Sequence, residues 1–165
     1  MKYLDESERL ELETFCWNRV ETSPRDAAMI LLTMASGCRA QELLNLEWQD
    51  LDVKRLTLKV KTLKRGRNRE IPLSKRLVAL LLTLKGTTAR MFNISYQRLN
   101  QIWVQWRPQK ISFHALRHTF AMHAFKRTKD ITLVKHVLGH RSLSSTSVYL
   151  EQAFTNSELK TALGV

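Results

Sequence analysis

The stretch that most constrains the fold is ETSPRDAAMILLTMASG, residues 21–37. Ser23 reads as a helix cap. Pro24 suits the first helical position, where its missing N–H would be unpaired anyway, and Gly37 supplies the exit. Between them, residues 27–35 are apolar nearly all round. A helix without a polar face needs neighbours on every side, so this one is expected at the centre. A chain of 165 residues is long enough to build that core as one domain.

The other elements follow from caps and periodicity. Asp5 with Glu8 forms a capping box for a first helix with Leu12, Phe15 and Cys16 on one face. After Gly37, CRAQELLNL reads as a short helix anchored by Leu43, Leu44 and Leu46, with Arg39 in its first turn. LTLKVK and REIPL bracket a turn containing Gly66 and read as a β-hairpin. Five basic residues lie at or around its tip: Lys61, Lys64, Arg65, Arg67 and Arg69. Ser74 and Ser95 cap two helices with apolar stripes at Leu77, Leu80, Leu81 and Leu84, and at Leu99, Ile102, Trp103 and Trp106. Both stripes are core positions. A helix follows from about His114 to Phe125, with His123 as a core histidine beside Leu116 and Phe120. Asp130 caps another helix, with Leu133, Val134, Val137 and Leu138 apolar and Gly139 as its exit. Residues 142–150 read as a short helix. Thr155 and Glu158 cap a weak last one. The expected fold is mainly α with a small antiparallel β-hairpin on one edge (α+β).

Charge narrows the function. Lys and Arg number 27 against 15 Asp and Glu, a net +12. That excess favours a polyanionic partner, above all nucleic acid. No apolar run reaches the length of a membrane span. No helix combines a basic face with a bulky apolar one, which disfavours a membrane surface. The acidic start MKYLDESERLELE lacks an apolar signal core, so a cytoplasmic, DNA-associated protein is expected. Cys16 and Cys38 lack metal-type spacing and read as buried reduced thiols.

The candidate chemistry lies in SFHALRHTFAMHAFKRTKDITLVKHVLGHRSLSSTSVYL. His114, Arg117 and His118 share one helix face. Two histidines at that spacing could bind a transition metal, but no glutamate lies between them and Arg117 would set a cation beside the ion. The alternative is an anion site, with Arg39, Lys64, His114, Arg117 and His140 around one phosphate. Arginine's fork matches two phosphate oxygens, and two arginines could offset the charge of a pentacoordinate transition state without a metal. A lysine on a mobile hairpin could protonate a leaving oxygen. A tyrosine held in line, Tyr149, could be a covalent nucleophile. Arg39 could equally be an exposed, solvated arginine, and the hairpin charges could simply protect an edge strand.

From residue 29 to residue 149 the chain resembles the catalytic domain of tyrosine recombinases, the phage integrase family. HALRHTFAMH followed by VLGHRSLSSTSVYL looks like the family's His-x-x-Arg and Leu-Gly-His…Tyr boxes. ASGCRAQELLNLEWQDLD resembles its first arginine box, and LKRGRNREIPL its lysine hairpin. The resemblance implies that Tyr149 attacks the scissile phosphate and forms a 3′-phosphotyrosyl link. Arg39 and Arg117 would hold the nonbridging oxygens, and Lys64 would protonate the leaving 5′-oxygen. His114 would assist proton transfer at the tyrosine, and His140 would hydrogen-bond the phosphate. Arg65, Arg67 and Arg141 are further candidate DNA contacts.

No metal and no cofactor are implied. The partners implied are double-stranded DNA with a specific recombination site, other copies of the chain in a tetrameric synapse, and accessory DNA-bending proteins. Residues 1–150 would be one catalytic domain. Residues 151–165 would be a tail helix that can dock on a neighbouring protomer. The resemblance implies an N-terminal DNA-clamp domain in most members, which is expected to be missing from this chain. A type IB topoisomerase-like relaxing enzyme and a non-catalytic basic DNA-binding module are the competing readings.

Overall fold

The computed structural model describes residues 2–63, 66–153, 160, 163 and 164. Its elements are α1 (Glu6–Trp17), α2 (Pro24–Ser36), α3 (Ala40–Leu44), a 3-10 turn (Trp48–Asp50), β1 (Leu51–Asp52), β2 (Thr57–Val60), β3 (Arg69–Pro72), α4 (Lys75–Thr83), α5 (Tyr96–Trp106), α6 (Ala115–Thr128), α7 (Ile131–Leu138) and α8 (Ser144–Ala153). The fold is mostly helical, as expected.

Helix α2 is the central element. Its residues from Ala27 through Thr33 are all buried, and it packs against α1, α4 and α6. Two hydroxyls inside this apolar setting are satisfied on the helix's own backbone, Thr33 Oγ1 on Met29 O at 2.8 Å and Ser36 Oγ on Leu32 O at 2.6 Å. Pro24 takes the first helical position and Gly37 ends the helix at φ +62. Ser23 differs from expectation: it occupies the cap position, but its side chain makes no capping bond. Asp5, Ser74, Ser95 and Asp130 do cap their helices.

The hairpin is part of a three-stranded antiparallel sheet, ordered β1-β2-β3. Leu58 pairs with Leu51 on one side and Ile71 on the other. Strand β1 has two residues, too few to show an alternating pattern. Leu56 leaves the strand because it sits at φ +53, though its carbonyl still accepts Leu73 N–H at 2.8 Å.

Two clusters form the interior. The larger runs from α1 through α5 to the start of α6. Trp103 is buried in it, with Nε1 donating to Ile111 O at 2.9 Å. The smaller joins Ala121, Met122 and Phe125 of α6 to Val134, Leu138 and Tyr149. Two apolar assignments change. Leu133 is exposed, and His123 is only half-buried, with Nδ1 3.1 Å from Glu6 Oε2 in the acidic first turn of α1. Cys16 and Cys38 are buried free thiols, and burial pushes them up to about 12 and about 11. No described helix is long and apolar enough to cross a membrane.

Candidate active site

The site begins where α2 ends. A Cβ on Gly37 would lie 2.5 Å from Phe120 Cδ1 of α6, so the chain can reverse tightly here only without a side chain. The turn buries Cys38 and sets Arg39 at the N-cap of α3, one position before the first helical turn.

Glu42, three residues on, organises the cations around it. Its side chain is 1% exposed. It accepts the Arg39 backbone N–H at 2.9 Å and Arg39 Nη1 at 3.1 Å. It also accepts Arg69 Nη2 at 2.8 Å and Nη1 at 3.3 Å, and lies 3.9 Å from Arg117 Nη1. Burial pushes this carboxyl up. The Arg69 hydrogen bonds and charge, the Arg39 N–H and the Arg117 charge outweigh it and hold the group below the usual carboxylate range.

Arg69 is therefore no DNA-facing charge of the hairpin tip. It is 1% exposed and clamped on Glu42. Lys61 is also engaged, with Nζ 2.8 Å from Asp50. Of the expected DNA contacts, Arg67 and Arg141 are exposed. Lys64 and Arg65 lie outside the described residues, as does most of the tail after Ala153.

Arg117, one turn into α6, is 2% exposed. Its Nη1 donates to Gly37 O at 2.6 Å and its Nη2 to Leu138 O at 2.8 Å. Both carbonyls lie at helix C-termini, the negative ends of α2 and α7. Burial, then the charges of Arg39 and Arg69, lower Arg117 to about 10, still a cation near neutrality.

His140 follows the left-handed Gly139, φ +69. A Cβ there would lie 2.6 Å from Arg67 O, and the Arg67 N–H donates to Gly139 O at 3.0 Å. The lysine hairpin and the histidine turn are thus joined backbone to backbone. His140 Nε2 is 3.1 Å from Arg117 Nη2, and Nδ1 is 2.9 Å from Thr146 Oγ1. Burial, then Arg117, Arg39 and Arg69, lowers it to about 4.

Tyr149 is 2% exposed on α8. Its hydroxyl is 3.1 Å from His118 Nδ1. Burial raises the phenol above its ordinary value, against the opposing pull of Arg117 and Arg39. His118 is lowered to about 4 by burial, with His114 and Arg117 adding to it. His114 is exposed at the N-cap of α6 and stands edge-on to His118, with ring centroids 4.7 Å apart. Neighbouring side chains still partly desolvate its ring, and this, then Arg117 and Arg39, lowers it.

The described residues therefore bring Arg39, Arg117, His140 and Tyr149 into one neighbourhood. They add Glu42 and His118, which sequence reasoning did not assign to the site. Glu42 carried a signal: a glutamate three residues after a helix start reaches back to it. His118 lies one turn from His114, a spacing that in the sequence points only to a metal pair. The resulting array is two fixed guanidinium groups, a neutral imidazole and a phenol, a set suited to an oxyanion and a nucleophile.

Known proteins resemble this chain throughout. The tyrosine recombinase XerS of Streptococcus thermophilus is 33% identical, covering 99% of this chain and 52% of its own length. The chain thus spans about half the length of that relative. The crystal structure of XerA recombinase superposes with a TM-score of 0.72 at 25% identity, over 98% of this chain and 64% of that one. XerH, solved bound to its palindromic difH substrate, shares the fold at a TM-score of 0.78 and 21% identity, over 99% of this chain and 53% of that one. The sequence pattern of the phage integrase family matches residues 2–156, so the chain belongs to that family.

Proposed function

We propose that this chain is the catalytic domain of a site-specific DNA recombinase that cuts and rejoins DNA through a 3′-phosphotyrosyl intermediate. One observation carries the reading. Glu42 binds Arg39 directly and lies beside Arg117, and the helix that bears Arg117 also holds the Tyr149 hydroxyl through His118. XerH, whose fold this chain shares, is solved on DNA, and the net charge of +12 suits a polyphosphate partner.

In this reading Arg39 and Arg117 hold the nonbridging oxygens of the scissile phosphate. Tyr149 Oη attacks phosphorus, its proton leaving through His118 and the neighbouring His114. The bond to the 5′-oxygen breaks, and Lys64 protonates that oxygen. His140 hydrogen-bonds the phosphate. The phosphotyrosyl ester conserves the energy of the broken bond, so a 5′-hydroxyl can later reverse the step. Arg65, Arg67 and Arg141 contact the DNA backbone. Residues 1–150 form the catalytic domain, and residues 151–165 dock on a neighbouring copy within a tetrameric synapse bent by accessory proteins.

The test starts from DNA duplexes selected by binding from a random pool and then nicked beside the bound site to trap cleavage. Wild type is expected to give a covalent protein–DNA band on a denaturing gel, and Tyr149→Phe none. No band from either protein at low salt overturns the reading.

A further inference from the structure

Thr146 has no place in the reaction as described, yet its surroundings are specific. It is completely buried on α8, with its hydroxyl 2.9 Å from His140 Nδ1. The other ring nitrogen, Nε2, is 3.1 Å from Arg117 Nη2. A guanidinium can only donate. Nε2 must therefore offer its lone pair, the proton of the neutral ring sits on Nδ1, and Thr146 Oγ1 accepts it. The free protein thus holds His140 with its proton on the nitrogen away from Arg117.

A phosphate oxygen between Arg117 and His140 requires the opposite arrangement. An anionic oxygen only accepts, so Nε2 must then carry a proton. Protonating the whole ring is opposed by burial and by Arg117, Arg39 and Arg69, and among the described residues Glu42 favours it. The neutral route is for Nδ1 to release its proton to water while Nε2 takes one from water, leaving the charge unchanged. Nδ1 then needs a donor, and a hydroxyl supplies one by rotating about its C–O bond. Valine has the same shape and can do neither.

We propose that Thr146 is a positioning residue for the strand-cleavage reaction: its hydroxyl holds His140 as the Nδ1–H form at rest and turns from acceptor to donor when the phosphate arrives. The helix places this hydroxyl one turn before the Tyr149 phenol, so one face of α8 presents two hydroxyls to two histidines. The second half of the proposal rests on the phosphate-binding role given to His140 above.

Two measurements test it. Long-range proton–nitrogen correlation spectra of the free protein show which ring nitrogen of His140 is protonated. The Nδ1–H form is expected in wild type and in Thr146→Ser, and an Nε2–H ring in wild type overturns the proposal whatever the enzyme does. Single-turnover formation of the covalent DNA adduct is the second measurement. Thr146→Val is expected to slow it about 10- to 100-fold, the factor tied to one hydrogen bond in a charged setting. Thr146→Ser should stay within about threefold, since it keeps that bond. If Thr146→Val unfolds the chain, Thr146→Ala removes the same hydroxyl and is read in its place. In a His140→Gln background the valine change should add nothing, because Thr146 acts through that ring. A full additional loss there, or no loss in the single variant, overturns the proposal. If wild type forms no adduct, the recombinase reading fails instead, while the spectra still judge the resting state.

Discussion

Arg117 and Tyr149 are both 2% exposed, but different forces hold them. Arg117 belongs to a charged frame. Glu42 faces three guanidinium groups, and the carbonyls of Gly37 and Leu138 fix the fork of Arg117 directly. These contacts join α2, α3, β3, α6 and α7. Tyr149 belongs to the smaller core, and one neutral hydrogen bond to His118 orients its hydroxyl. The arrangement suits a site that must present a fixed anion cradle. Tyr149, the nucleophile in the proposed reaction, can change hydrogen-bond partner at lower cost, since a neutral bond is worth only about 1 kcal/mol net.

Removing the charge at the hub is the severest way to break this contrast. Glu42→Gln leaves buried Arg69 without its counter-charge and is expected to cost about 3–5 kcal/mol in urea unfolding. A loss no larger than that of a surface change would mean the frame does not rest on Glu42.

The seam between the regions comes next. Gly139→Ala combines a left-handed conformation, about 1–2 kcal/mol for an L side chain, with a Cβ 2.6 Å from a backbone carbonyl that cannot rotate away. Gly86 is the control, since a Cβ there meets nothing within 4 Å. Calorimetry should show Gly139→Ala clearly destabilised and Gly86→Ala nearly neutral.

On the tyrosine side, Tyr149→Phe removes only one hydroxyl. Its expected cost is about 1 kcal/mol, several-fold below that of Glu42→Gln, while covalent adduct formation is lost altogether. Equal costs for the two variants would erase the distinction.

Acid should separate the regions most gently. His118 and His140 are lowered to about 4 from an ordinary 6.5. Between those values the unfolded chain binds more protons than the folded one. Their contribution is therefore complete above 6.5 and lost as pH falls toward about 4. Glu42 is also lowered, from 4.5, so its contribution is kept to more acid pH and lost only below that value. Stability is expected to decline first through the histidines. His118→Asn should flatten the slope between pH 6.5 and 4 without moving the loss at lower pH.

Much of this was legible in the sequence. The central helix, four of the five side-chain helix caps proposed among the described residues and the glycine exits were readable because capping and periodicity act over a few residues. Leu99, Ile102 and Trp103 of the α5 stripe are buried as their spacing required, and Trp106 is half-buried against the same core. Arg39, Arg117, His140 and Tyr149, singled out from the arginine, His-x-x-Arg and Gly-His…Tyr segments, lie on elements that the structure brings together. The misreadings came from residues whose partners lie far along the chain. Arg69 had the sequence surroundings of a DNA-binding arginine, and nothing local pointed to a carboxylate 27 residues earlier. His123 shared a helix face with apolar residues, but it is only half-buried and pairs with Glu6, 117 residues earlier.

The sequence by itself determined which segments become helices, where the chain turns, and which side chains could handle a phosphate. Those properties follow from backbone sterics and side-chain period, which each segment carries alone. Only the tertiary structure decided which charges are spent on each other and which remain for a ligand. It buried Arg69 on Glu42, set His118 rather than His114 on the Tyr149 hydroxyl, and held the His140 ring between Arg117 and Thr146. Charge and hydrogen-bond partnership depend on distances of a few ångströms between groups that sequence separation does not encode.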